Sequence, residues 1–247
     1  MKKKKKKIFF HLGAITPALE TQLELINDAT SNNDEVYVVK CVGKIKTCYW
    51  NVDNFKPYCD VCISKFNSGL DQITDKNKLN IIKLNLDKKI NIPKNLIDIK
   101  NIEKLKALKY KKSPIGFGIA SSLQTLIKNH KPDLNNYKKF VNDLTYTSIL
   151  IHDFVEKISK KIIPDEIYLF NGRLAECWPI ICCAKKLGID YFTYEVANIK
   201  KGTYELNKNT TPQIAWTKMK LKKNYNKVKK VNILNQAKKF VSKDKKL

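Results

Sequence analysis

Arg173 is the only arginine among 48 basic side chains, and it stands in Phe-Asn-Gly-Arg directly after the apolar run EIYLF, residues 166–170. Lysine supplies positive charge everywhere else. An arginine kept here points to a need for shape, because its planar fork holds a phosphate or carboxylate bidentately and an ammonium does not. The fork either faces a ligand anion or pairs with a protein carboxylate to fix a loop. A second concentration of chemistry lies upstream, in Cys41-x6-Cys48-x10-Cys59-x2-Cys62. Four thiolates complete a tetrahedral shell, and a terminal Cys-x2-Cys is the usual knuckle of a structural zinc site. Zinc before iron–sulfur is one reading of Cys41, Cys48, Cys59 and Cys62; a redox pair and reduced packing cysteines are the others. Cys177, Cys182 and Cys183 follow Arg173 on one expected helix and read as buried neighbours. His11, His130 and His152 show no partner spacing and read as surface or core histidines. The sequence holds no Walker loop, GxSxG, HExxH or GxGxxG.

The elements that must position these residues follow from periodicity. KIFFHL (7–12) reads as a buried strand, 17–29 as a helix with Leu19, Leu23, Leu25 and Ile26 at roughly helical spacing, and VYVVKCV (36–42) as a second strand. That βαβ order predicts a parallel sheet. Residues 43–68 lose periodicity and read as a loop-like, cysteine-rich segment. IIKLNL (81–86) predicts a further strand, 113–129 a helix preceded by serine, and 135–160 a long amphipathic helix. EIYLF is the clearest strand; Asn171-Gly172-Arg173 is its exit loop. The helix after it starts near Glu176 with Pro179 in its first turn and stops at Gly188, and DYFTYE (190–195) is the next strand. The fold expected is α/β, a doubly wound parallel sheet over 1–216, with a lysine-rich helical tail over 217–247. In such sheets ligands bind beyond the carboxyl ends of the strands. Arg173 and Glu195 both fall on that edge, and the Arg173 loop leads into a helix N-terminus that favours anions.

The chain has 247 residues, 43% of them hydrophobic, enough for a real core. Its net charge of +25 suggests a polyanion or an anionic membrane surface as partner. The excess is spread along the chain together with abundant Asn and Ile, as an A/T-rich coding sequence would give, and no base-reading module is present, so nucleic acid is disfavoured. MKKKKKK followed by IFFHLGAITPALE has the outline of a signal peptide, but the apolar run is short and reaches Glu20 quickly. The expected location is cytoplasmic, with peripheral contact to the inner face of a membrane through lysines.

FNGR after an apolar strand, followed by a helix and a strand ending in Glu195, resembles bacterial capsule and lipopolysaccharide biosynthesis proteins of the GT-B glycosyltransferase type. CVGKIKTCYWN (41–51) with Cys59-x2-Cys62, GIASSLQTLI (118–127) and GTYELNKN (202–209) are similar to further segments of that family in the same order. The chain departs from the family where Ala197-Asn198 stands for a glycine and where no histidine stands near Pro212. The resemblance implies a Rossmann-like N-terminal half that faces a glycan acceptor, with a C-terminal GT-B domain or subunit holding most of a nucleotide-sugar donor. The sequence ends about where the linker to that half is expected. In the implied mechanism Arg173 stabilises the leaving phosphate and Glu195 takes the acceptor proton, with Asn171, Gly172, Ser121 and Ser122 as substrate-binding residues. Glu195 locked onto Arg173 is the structural alternative. A non-catalytic module that binds an acceptor or partner, and a basic nucleic-acid or membrane-surface binder, are the two other functions the sequence leaves open.

Overall fold

The computed structural model describes residues 3–13, 16–86, 99–196 and 204–211, together with Lys222 and Asn235. The chain divides into the compact units Met1–Thr211 and Pro212–Leu247. The expected lysine-rich tail lies almost wholly outside the described residues, as do Ala197, Asn198 and Pro212.

Six strands form one sheet in the order β3-β2-β1-β4-β5-β6. They are β1 (Lys6–His11), β2 (Glu35–Cys41), β3 (Leu79–Leu84), β4 (Glu166–Phe170), β5 (Asp190–Val196) and β6 (Tyr204–Lys208). The first five run parallel, and β6 pairs antiparallel with β5. The chain thus builds outward from β1 to β3, then crosses back to lay β4 beside β1. This reversal is the point at which open α/β sheets form a ligand crevice, and the strand order is Rossmann-like.

The central strands are apolar on both faces because helices cover both. Ile8 and Phe10 of β1 and Ile167 and Leu169 of β4 pack with α5 (Lys138–Ile162) and α6 (Trp178–Leu187). Phe9, Val36, Val38 and Tyr168 face the other way, onto α1 (Ala18–Ser31) and Phe66 of α2 (Lys56–Leu70). Phe9, Tyr168 and Phe192 stack across β1, β4 and β5 with ring centroids 4.6 and 4.8 Å apart, and the cross-strand register puts them side by side. A third cluster joins α3 (Ile102–Lys106) and α4 (Gly116–Ile127) to the start of α5.

The loop expected over 43–68 is only half correct. It ends at Phe55, and residues 56–70 are helical, with Pro57 in the first turn. Only Phe66 of that helix is buried, so its sequence carries almost no apolar stripe to announce it. Cys59 and Cys62 therefore sit one helical turn apart rather than on a loop knuckle. The antiparallel edge strand β6 also departs from the all-parallel expectation.

Candidate functional site

At the exit of β4 the backbone turns sharply. Asn171 (φ 57°) and Gly172 (φ 85°) are both left-handed, a conformation that asparagine and glycine tolerate best. A side chain on Gly172 would also strike Ile181 Cδ1 at 2.6 Å. The turn brings the Asn171 side chain back over its own loop. Its Oδ1 accepts from the Arg173 N–H at 3.0 Å and from Arg173 Nε at 3.3 Å, while its Nδ2 donates to Glu195 Oε1. The amide thus stands between the cation and the carboxylate. Among the described residues Arg173 forms no salt bridge, so the direct Arg173–Glu195 lock is not made.

The next peptide is held from both sides. Ser122 Oγ accepts the Ala175 N–H at 2.8 Å, and Ser148 Oγ donates to the Ala175 carbonyl at 2.8 Å. Ser122 is fully buried, and its hydroxyl positions the loop. Ser121, its neighbour, is half-buried and makes no hydrogen bond to Asn171, Arg173 or Glu195 among the described residues.

This clamp fixes Glu176, which the sequence reading passed over. The residue is 1% exposed. Its Oε1 accepts the Tyr49 N–H at 3.1 Å, and its Oε2 has no partner among the described residues. Burial pushes the carboxyl up to about 7. It lines a cavity of about 10 Å³ between the ends of β1 and β4, together with Gly13, Gln22, Trp50, Cys177 and Tyr194. Such a volume admits about one water-sized group. Trp50 presses on the Gly13 backbone, where an added Cβ would meet Cδ1 of the indole at 2.5 Å.

On the other side of Gln22 lies His11, the last residue of β1. Gln22 Nε2 donates to the Phe10 carbonyl at 3.0 Å, which leaves its Oε1 to accept from His11 Nδ1 at 2.8 Å. The proton is thereby assigned to Nδ1, and Nε2 is left as a buried acceptor with no partner among the described residues. Burial lowers the His11 pKa to about 4, so the ring is neutral. Its ring stacks on Phe66 with centroids 3.5 Å apart. Tertiary contact alone supplied this partner, eleven residues away.

Among the described residues no disulfide joins the four upstream cysteines. Cys41 has Cys59 and Cys62 as neighbours, and burial pushes the Cys41 and Cys48 thiols up to about 11 and about 12. Cys59 Sγ accepts from Asn51 Nδ2 at 3.2 Å. Among the described residues no three of these sulfurs lie within 4.8 Å of one another, so as placed they are gathered but do not form a zinc tetrahedron. The group that does meet that distance is His152, Asp153 and Glu156. Its carboxylates are already matched by lysines: Asp153 by Lys111 at 2.8 Å, Glu156 by Lys186 at 2.8 Å and Lys160 at 3.5 Å. The Lys186 ammonium holds Glu156 down to about 2. His152 Nε2 is hydrogen-bonded to Ser113 Oγ at 2.9 Å. The cluster is an ion network joining α5 to α6 and to the turn before α4.

No helix among the described residues is long and apolar enough to cross a membrane. Comparison of the chain with family models, with curated proteins and with solved structures finds no match.

Proposed function

We propose that the chain is a nucleotide-sugar-dependent glycosyltransferase of surface polysaccharide assembly, with the GT-B arrangement completed by a second domain or subunit. The observation that carries this reading is the Asn171 bridge. One amide holds Arg173 and Glu195 on the carboxyl edge of the sheet while keeping them from neutralising each other. A cation left to face a departing phosphate, on a sheet edge that also carries carboxylates, is what sugar transfer to a hydroxyl needs. The test is a thermal-shift titration against a panel of nucleotide sugars, with Arg173→Lys as control. A saturable, sugar-selective rise that the lysine variant loses is expected. No rise with any donor, or an equal rise in the variant, overturns the assignment.

A second reading, a glycan- or partner-binding module without catalysis, is favoured by the narrowness of the switch-point cavity, about 10 Å³. Glycan binding with no donor response would select it.

A further inference from the structure

We propose that Glu176 Oε2 receives the hydrogen bond of a sugar hydroxyl, that the Trp50 indole is the surface on which the sugar ring stacks, and that Glu176 rather than Glu195 takes the proton. The proton-transfer clause rests on the transferase reading; the binding site stands without it.

Three observations converge. The first is an orphan: a carboxylate oxygen on a residue 1% exposed, with no partner among the described residues. Burying such an oxygen without a donor costs roughly 1–3 kcal/mol, so its persistence points to a donor from outside the chain. The second is its place, in a cavity at the β1–β4 reversal. The third is the cover. Trp50 is 40% exposed, touches Tyr49 edge-on at 4.6 Å and tilts toward Phe170 at 6.5 Å. A half-exposed indole resting on glycine can swing aside and offer its face. Glu195, by contrast, is already bound through one oxygen by Asn171.

These features also set the ligand class. A buried carboxylate repels anions, so a phosphate belongs at Arg173 and not here. The cavity accepts one hydroxyl-sized group, and an aromatic face beside a hydrogen-bond acceptor suits a neutral polyhydroxyl ring. In the transfer, the acceptor hydroxyl oxygen bonds to the donor's anomeric carbon as the bond from that carbon to phosphate oxygen breaks. The phosphate leaves with the electron pair, facing Arg173, and the hydroxyl proton passes to Glu176 Oε2.

The two thiols and the phenol closest to Glu176 stay neutral around pH 7, and Glu195 acts on Cys177 and Tyr194 in the same sense as burial. Burial pushes the Cys48 thiol up to about 12 and raises Cys177 and Tyr194 well above their usual range. His11, beyond Gln22, is held neutral. Glu176 itself titrates near 7, so glycoside affinity should follow its charge.

The experiment is saturation-transfer NMR of a panel of methyl glycosides with the full chain at pH 6 and pH 8, in wild type, Glu176→Gln and Trp50→Ala. An ionised-carboxylate acceptor predicts up to about tenfold tighter binding at pH 8. Glu176→Gln should be flat with pH, and Trp50→Ala should lose most binding at both. Circular dichroism establishes that the variants fold; should either not, Glu176→Met replaces the first with the same flat response to pH expected, and Trp50→Phe replaces the second with a partial loss of binding expected. Failure of wild type to bind any glycoside, or an unchanged pH response in Glu176→Gln, overturns the proposal. Glycoside binding as predicted without any nucleotide-sugar shift would sink the transferase reading and leave the site standing.

Discussion

The two edges of the parallel sheet bury carboxylates in opposite ways. At the amino edge Glu166 is 5% exposed, and both its oxygens are taken: Oε1 by Lys5, Oε2 by the Tyr168 hydroxyl at 2.7 Å with Lys7 at 3.7 Å. Asp34 beside it accepts from Lys7 at 2.6 Å and from the Lys5 N–H at 3.0 Å. Burial alone would raise the Asp34 carboxyl, but the Lys7 ammonium and the Lys5 N–H outweigh it and hold it low. At the carboxyl edge, among the described residues, Glu176 has backbone N–H groups and no cation, and Arg173 has an amide and no carboxylate. One edge is closed electrostatically and the other is left open. The contrast separates groups that hold strands together from groups kept ready for something else. It also gives part of the opening lysine run a structural task, since Lys5 and Lys7 serve the sheet itself.

The largest effect should come from breaking the closed edge. Glu166→Ala leaves the Tyr168 hydroxyl without its acceptor and Lys5 and Lys7 with Asp34 alone to share, and should cost about 4 kcal/mol in urea denaturation at pH 7. The open edge should respond with the opposite sign. The Glu176 pKa is raised on folding, from 4.5 to about 7, so the unfolded chain releases its proton first as pH rises. Stability contributed by protonated Glu176 is full below about pH 4.5 and is lost by about pH 7. Glu176→Gln should therefore be more stable than wild type by about 3 kcal/mol at pH 8, and equal to it near pH 4. Equal destabilisation by both substitutions would erase the distinction between the edges.

A smaller effect is expected at the cover. Gly13→Ala drives a methyl into the Trp50 indole and should cost about 1–2 kcal/mol, with a red-shifted tryptophan emission as the ring is displaced. The smallest stability change belongs to Arg173→Lys, within about 0.5 kcal/mol because no ion pair among the described residues is broken, although the nucleotide-sugar response should disappear.

Periodicity made the scaffold legible. EIYLF and KIFFHL are mainly apolar runs because both faces of a central strand are covered, and the βαβ order implied a doubly wound parallel sheet with Arg173 and Glu195 on its carboxyl edge; the β1–β4 adjacency came only with the structure. The helix at Lys56–Leu70 left no such trace, since it buries one phenylalanine. YELNK joins the sheet as a mostly exposed edge strand and carries little alternation. The site was legible only where local sequence builds it. Asn171-Gly172-Arg173 announces a turn with a cation. Nothing near Glu176 distinguishes it from a surface glutamate, because the Tyr49 N–H that its carboxylate accepts comes from a loop 127 residues away. Ser122 shows the reverse: a helical serine that looks available has its hydroxyl engaged by Ala175, 53 residues on.

The most direct test of the division between edges is hydrogen–deuterium exchange with and without a saturating mixture of nucleotide sugars and methyl glycosides. The open-edge account predicts slowed exchange in the 42–55 and 171–177 loops and none at residues 5–7, 34–35 or 165–168. Protection at the Glu166 edge, or no protection at either, would contradict it.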